Sequence, residues 1–142
     1  MEPLLAALEA LPHGPEFRFL DRLSALDPGR HGRGLYRVSP QLPLLRGHFP
    51  GDPLFPGVLL IEAAAQLAGA VAQADPERGP LPGLKLTALR AIKILGSARP
   101  GEEVALEARI TGRLGNLIHA EVTASVQGVL VLRGELTLSG SG

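Results

Sequence analysis

Two side chains, His48 and Glu62, are of the types that perform general acid–base chemistry. His48 lies in the segment GHFPGDPLFPG, and Glu62 interrupts the apolar run LLIEAAAQLA. Burying an ionised carboxylate costs free energy, so a carboxyl group in such a run tends to hold its proton. A neutral imidazole can accept a proton near neutral pH. The pair therefore offers one group that can remove a proton and one that can donate a proton.

The neighbours of these two residues have types that could position a reacting group. Gln66 follows Glu62 by one helical turn, so its amide can orient the carboxyl group. Gly57 stands where a helix should begin, and its free N–H suits a carbonyl oxygen that gains negative charge. Structural alternatives stay open. Glu62 could reach water or pair with an arginine, and His48 could cap the helix or bond to the backbone.

The segment from residue 39 to residue 56 is expected to be an ordered loop without a regular element. Its prolines fix φ, and its glycines permit backbone angles that other residues avoid. Such a loop can hold an imidazole still while leaving backbone N–H groups accessible. The residues concerned are Gly47, Pro50, Gly51, Pro53, Pro56 and Gly57.

One long helix and an antiparallel sheet must hold these groups. The helix is predicted from about residue 57 to 74, where helix formers precede Asp75-Pro76, and its sides are nearly all apolar. Period-two alternation predicts strands within 103–110, 118–126 and 130–138, and another strand is expected at 85–95. Residues 33–38 read as a strand, 17–26 as a strand or turn, and 3–10 as a short helix. The fold class is therefore α+β, with a sheet of five or six strands wrapped around the helix.

Composition argues against several classes of function. The 142 residues suit one domain over 1–142, and 14 basic side chains balance 14 acidic ones. We therefore expect neither nucleic-acid binding nor membrane association. The lack of cysteine excludes disulfides and thiolate nucleophiles, and the four histidines have no metal-ligand spacing. The N-terminus does not read as a secretory signal, so a cytoplasmic location is expected.

The segment from Gly47 to Gly69 resembles the active-site segment of the β-hydroxyacyl-acyl-carrier-protein dehydratases, the FabZ-type hot-dog enzymes of bacterial fatty-acid synthesis. The shared motifs are GHFPG at 47–51, PGV at 56–58 and EAAAQ at 62–66, with LPH at 11–13 and FLDR at 19–22 upstream. The resemblance implies a hot-dog fold, in which a curled antiparallel sheet wraps one long central helix. It also implies a homodimer or a trimer of dimers.

The same resemblance implies a reaction and residue roles. A (3R)-3-hydroxyacyl thioester, carried on the phosphopantetheine arm of acyl carrier protein, would lose water to give a trans-2-enoyl thioester without a metal or other cofactor. His48 of one chain would remove the C2 proton, and Glu62 of the partner chain would protonate the departing hydroxyl group. Gly57 and Val58 would position the carbonyl through their backbone, Gln66 would orient the acid, and Phe49 and Pro56 would line the tunnel.

Other parts of the chain depart from the family pattern or leave choices open. Residues 89–103 keep Arg90, Lys93 and Arg99, which are candidates for docking an acidic carrier protein, but a solvated charged face explains them equally well. His13, in the LPH motif, is interpreted as a structural contact near the tunnel. Two other functions remain open: a hot-dog acyl-thioester thioesterase and a non-catalytic acyl-thioester-binding homologue.

Overall fold

Six antiparallel strands form one sheet in the computed structural model, which describes residues 2–49 and 51–141. The strands occur in the order β1-β2-β4-β5-β6-β3 across the sheet. Two α-helices complete the fold, together with short 3-10 turns at Pro15–Phe17 and Pro43–Arg46. The elements are α1 (Pro3–Glu9), β1 (Arg22–Asp27), β2 (His31–Arg37), α2 (Gly57–Gln73), β3 (Lys85–Ile94), β4 (Glu103–Leu114), β5 (Leu117–Val126) and β6 (Val129–Ser139).

The long helix α2 is the centre of the core. Its 17 residues end at Gln73, one residue short of the predicted end, and Ala74 caps it before Asp75-Pro76. From Leu60 to Ala72 every residue except Glu62 is buried. The helix contacts β2, β4, β5 and β6, so the sheet curves around it. This is the hot-dog arrangement that the motifs implied.

Glycines in β2 let α2 lie close to the sheet. A Cβ atom added to Gly32 would lie 2.5 Å from Cγ2 of Val71, and one added to Gly34 would lie 2.5 Å from Cδ1 of Leu20. Cβ atoms in proteins do not approach other heavy atoms so closely, so larger residues here would push against buried side chains. The sequence Gly-Arg-Gly in this strand is therefore a packing requirement.

The predicted alternation of the C-terminal strands is confirmed in β4 and β5, and in β6 from Leu132 onward. It is wrong at Leu130, which is exposed because a register shift beside it turns Val131 inward. Val104, Leu106 and Ala108 of β4 are buried while their neighbours face outward, and β5 shows the same pattern. The hairpins between these strands turn at Gly115 and Gly128, which have positive φ values of 58° and 78°. The 85–95 strand prediction is also confirmed by β3.

Two predictions for the N-terminal half needed correction or refinement. In the stretch 17–26, predicted as a strand or turn, β1 begins only at Arg22. The first residue of the stretch belongs instead to the 3-10 turn Pro15–Phe17. The 39–56 segment contains the 3-10 turn Pro43–Arg46, so its description as wholly irregular was wrong. The proline at its start supplies the helical φ that such a turn needs. Pro50 lies outside the described residues.

Strand β3 forms one edge of the sheet and is exposed along almost its whole length. Leu89 and Ile94, and Leu95 directly after the strand, are each about half exposed. Ala91 has a φ of 53° where the register shifts between Arg90 and Lys93, so the strand is bulged. A long edge with exposed apolar side chains is typical of a surface that another chain covers.

No helix in the described part of the chain is long and apolar enough to cross a membrane. Residues 2–49 and 51–141 likewise hold no group of three His, Asp or Glu side chains that could bind a metal ion.

Candidate active site

His48 lies in the loop before α2 and is held by the backbone of that loop. Its Nδ1 atom is 2.9 Å from the carbonyl oxygen of Leu54, whose own N–H donates to the carbonyl oxygen of His48 at 2.8 Å. A carbonyl oxygen only accepts, so in the neutral ring Nδ1 carries the hydrogen and Nε2 keeps its lone pair. The ring lies 4.3 Å from that of Phe49, and the peptide bond between the two residues is cis. His48 therefore presents Nε2 as a proton acceptor.

The His48 loop is also tied to the connection between β3 and β4. The N–H of Phe55 donates to the carbonyl oxygen of Ala98 at 2.8 Å, and Nη1 of Arg99 donates to Oδ1 of Asp52 at 2.7 Å. Asp52 and Phe55 lie on either side of Leu54, the residue whose backbone bonds to His48. The imidazole is thus fixed from within the loop and from the neighbouring connection.

A cluster of aromatic rings packs around Phe55, near the end of the His48 loop. Phe55 packs against Phe19 and Tyr36, with ring centroids 5.6 Å and 5.5 Å away, and Phe17 meets Phe19 edge to face. Burial, with a further contribution from the charge of Asp21, raises the pKa of Tyr36 to about 12. The phenol therefore stays protonated at neutral pH and serves as packing.

Glu62 lies on the first turns of α2, where its side chain keeps 23% of its exposure in the single chain. One of its oxygens, Oε2, has two nitrogen neighbours. Nε2 of Gln66 donates to it at 3.2 Å, and Nε2 of His13 lies 3.4 Å away. The contact with Gln66 is the one that the helical spacing predicted. The contact with His13 brings the LPH motif beside the EAAAQ motif, although 49 positions separate the two residues in the sequence.

Gln66 is almost completely buried, with 1% of its surface exposed, and all its polar atoms are used. Its Oε1 accepts from the N–H of Phe19, and its Nε2 donates to the carbonyl oxygen of Phe17, both at 2.8 Å. These backbone partners leave one orientation for the amide, in which a second N–H points at Glu62. Sequence reasoning missed the anchoring to Phe17 and Phe19, although Gln66 was the one polar residue in an otherwise apolar turn.

The start of α2 offers backbone N–H groups beside exposed apolar side chains. In the described residues, the N–H groups of Gly57 and Val58 have no acceptor, because Pro56 caps the helix without a side-chain bond. Val58 and Phe49 are each more than half exposed. A Cβ atom on Gly57 would lie 2.9 Å from Cδ1 of Ile94, so the helix start lies against the exposed edge strand β3.

The single chain does not bring the two acid–base candidates together. Among the described residues, His48 and Glu62 share neither a hydrogen bond nor an ion pair. A groove of about 510 Å³ beside the loop is lined by residues such as Leu45, Arg46 and Pro53. Another, of about 720 Å³, lies on the face of the sheet away from α2. Neither groove is lined by His48 or Glu62.

Two of the three basic residues proposed for docking pair with carboxylates of the same chain. Arg90 and Lys93 are exposed on β3, where Arg90 lies 3.7 Å from Glu135 and Lys93 is paired in register with Arg133. Arg99 is engaged by Asp52 of the His48 loop. Their role in docking stays a prediction.

Comparison with known proteins places these motifs in one family. A family model described as a FabA-like domain matches residues 11–135. The chain belongs to this family. It is 34% identical over 138 residues to the 3-hydroxyacyl-[acyl-carrier-protein] dehydratase FabZ of Caldicellulosiruptor saccharolyticus, covering 96% of each chain. It is 38% identical over 129 residues to the enzyme of that name from Ruminiclostridium cellulolyticum, covering 90% of this chain and 89% of that one.

Solved structures share the fold at much lower identity. A chain of the dehydratase heterocomplex ApeI:P from Xenorhabdus doucetiae superposes with a TM-score of 0.79 at 17% identity, covering 98% of this chain and 91% of that chain. Zebrafish thioesterase superfamily member 2 superposes with a TM-score of 0.69 at 15% identity, covering 95% and 91% respectively. Since a dehydratase and a thioesterase both match, this likeness shows the hot-dog fold and does not distinguish between the reactions.

Proposed function

We propose that this protein is a 3-hydroxyacyl-[acyl-carrier-protein] dehydratase of fatty-acid synthesis, formed by one domain over residues 1–142. The observation that carries the proposal is the near full-length identity of 33–38% with FabZ dehydratases, together with an imidazole held through Nδ1 and a glutamate held by Gln66. Both of the side chains needed for an acid–base elimination are present, which a binding-only homologue would not need.

The reaction uses His48 as base and Glu62 as acid. Nε2 of His48 takes the C2 proton, and the C–H electron pair becomes the C2–C3 double bond. The C3–O bond breaks, and Glu62 gives its proton to the oxygen, which leaves as water. The substrate loses only water, so the balance requires no electron acceptor. Transfer of one proton from His48 to Glu62 through solvent then restores the enzyme.

The start of α2 would hold the thioester carbonyl. As the C2 proton leaves, negative charge builds on the carbonyl oxygen, and the N–H groups of Gly57 and Val58 lie at the positive end of the helix dipole. Pro56 precedes these N–H groups in the chain, and it would line the acyl tunnel together with Phe49. The exposed side chains of Phe49 and Val58 would then be covered by substrate and by a second chain.

A second copy of the chain would complete the site. The edge strand β3 exposes backbone and apolar side chains, and Ile94 on it packs at the start of α2. Pairing of two such edges would cover this surface, and it would bring His48 of one subunit to Glu62 of its partner. The homodimer, or a trimer of such dimers, would receive its substrate from acyl carrier protein near Arg90, Lys93 and Arg99.

Turnover of a 3-hydroxybutyryl thioester tests the proposal. A dehydratase produces the conjugated enoyl thioester, which is followed by its absorbance, whereas a thioesterase releases a free thiol and a binding homologue does neither. We expect enoyl formation in the wild type and a loss of about 100-fold or more in kcat for His48→Ala and for Glu62→Gln. His119→Ala, on the exposed face of β5, is the matched control and should keep full activity. Thiol release, or two fully active variants, would overturn the assignment.

A further inference from the structure

We infer that His13 is a positioning residue for the acid Glu62, an inference that rests on the proposed dehydratase function. His13 is the last residue of the LPH motif and lies outside α2, and its ring lies beside the carboxyl group. Nε2 of His13 lies 3.4 Å from Oε2 of Glu62, and this same oxygen accepts a hydrogen bond from Gln66.

The surroundings of the ring select one tautomer. Nδ1 of His13 is buried and has no hydrogen-bond partner among the described residues. A buried N–H without an acceptor is costly and rarer than an acceptor that lacks a donor, so Nδ1 keeps its lone pair and the hydrogen is on Nε2. In the neutral ring the hydrogen of His13 is therefore on Nε2, the atom that lies 3.4 Å from Oε2 of Glu62.

The ring is held in place by the segment that follows it. Nη2 of Arg18 donates to the carbonyl oxygens of His13 and Leu11 at 3.4 Å and 3.5 Å. The ring of Phe17 stacks on that of His13 with centroids 6.3 Å apart. Phe17 is itself bound through its carbonyl oxygen to Gln66. The two side chains that contact Oε2 of Glu62 are thus parts of one connected structure.

The groups around Oε2 decide where the carboxyl proton sits. Gln66 donates an N–H to Oε2, and Nε2 of His13 lies 3.4 Å from the same oxygen, so a hydrogen on Oε2 would oppose the N–H of Gln66. The transferable proton therefore belongs on Oε1, the oxygen that remains free for the substrate. When the Oε1–H bond breaks and its hydrogen passes to the C3 hydroxyl oxygen, Glu62 becomes an anion that Gln66 and the neighbouring N–H of His13 can both stabilise.

The contribution of His13 should be larger in the transition state than in the resting enzyme. At 3.4 Å the contact is longer than an ordinary N–H···O hydrogen bond, which spans about 2.7–3.2 Å. As charge develops on Glu62, this contact shortens into a charge-assisted hydrogen bond. An interaction that strengthens only during reaction raises kcat and leaves KM almost unchanged.

Two substitutions separate the N–H donor from the packing of the ring. His13→Phe keeps the ring against Phe17 and removes the donor, whereas His13→Gln places an amide N–H near the position of Nε2. We expect kcat of His13→Phe to fall by about 10- to 100-fold with KM within about twofold, since a bond to a charged group is lost. His13→Gln should recover most of that loss. His119→Phe, a histidine on the exposed face of β5, should behave as the wild type.

The outcomes decide the inference in each direction. Full kcat in His13→Phe would overturn it, and so would equal losses in the Phe and Gln variants, because the role would then be packing alone.

Nitrogen-15 NMR of the histidine rings in the wild type gives an answer even if a variant fails to fold. It should show His13 neutral with hydrogen on Nε2, and its signal should move in Glu62→Gln. Hydrogen on Nδ1 would overturn the inference. Failure of the dehydratase proposal would instead appear as an inactive wild type.

Discussion

Arg99 and Asp52 form an ion pair that joins the β3–β4 connection to the loop carrying His48. Nη1 of Arg99 donates to Oδ1 of Asp52 at 2.7 Å, and the backbone N–H of Asp52 donates to the carbonyl oxygen of Phe49 at 3.0 Å. The sequence suggested Arg99 as a docking residue for an acidic carrier. Its observed partner indicates a second role, which is to hold the catalytic loop.

Arg99→Gln and Asp52→Asn should therefore have the same effect on catalysis. Both side chains are more than half exposed, so the pair stabilises the loop by at most about 1 kcal/mol, and kcat should fall by no more than about fivefold. The fall should be equal for a small-molecule thioester and for a carrier-bound substrate. If Arg99 serves docking alone, Arg99→Gln will raise KM for the carrier-bound substrate only, and Asp52→Asn will not reproduce its effect.

Mixing two inactive variants tests whether the site spans two subunits. Co-expression of His48→Ala with Glu62→Gln should give mixed dimers in which one of the two sites has both native residues. With equal amounts and random pairing, about a quarter of the wild-type turnover should return. Each variant expressed alone is the control. Recovery of no activity, with mixed dimers verified by two affinity tags, would place both residues of a site in the same subunit.

Because β2 packs closely against α2, one added methyl group in β2 should lower the stability of the fold substantially. In Gly34→Ala the new Cβ atom would lie 2.5 Å from Cδ1 of Leu20 and 3.5 Å from Cδ1 of Leu67, both of which are buried. The strain should lower the free energy of unfolding by about 1–3 kcal/mol, measured by urea denaturation. Gly112→Ala in β4 is the matched control, because its Cβ atom would meet nothing closer than 4.0 Å. Equal stability of the two variants would contradict this account of the packing.

The features that the sequence predicted are those encoded over short distances along the chain. The bounds of α2 followed from helix formers ended by Asp75-Pro76, and the strands β4 to β6 followed from their alternation. The contact between Gln66 and Glu62 followed from helical spacing. The family motifs then related these elements to a reaction.

The contacts that the sequence did not predict join segments that are far apart along the chain. Gln66 binds the backbone of Phe17 and Phe19, which lie 49 and 47 positions away, and His13 meets Glu62 at a similar separation. No local pattern encodes such contacts, because they depend on how the opening segment crosses the helix in the folded chain. The pairing of Arg99 with Asp52 was missed for the same reason.

The acid stability of the sheet should depend on Glu107, on its outer face. A hydrogen bond with His31 lowers the pKa of Glu107 below its ordinary value of 4.5, the hydrogen bond and charge of Arg33 add to this, and partial burial opposes it. Since the unfolded chain then binds this proton more readily than the folded chain, the contribution is complete above pH 4.5. It is lost as the pH falls through the lowered folded-state value.

Urea denaturation of the wild type and of Glu107→Gln, at a series of pH values from 7 to 3, measures this contribution. The urea concentration at the unfolding midpoint should be higher for the wild type than for the variant at neutral pH. The difference should shrink below pH 4.5. Glu9→Gln, on the exposed surface of α1, corrects for the change in net charge. A difference that is constant with pH would mean that the ion pairs of Glu107 contribute nothing to stability, as is true of many exposed pairs.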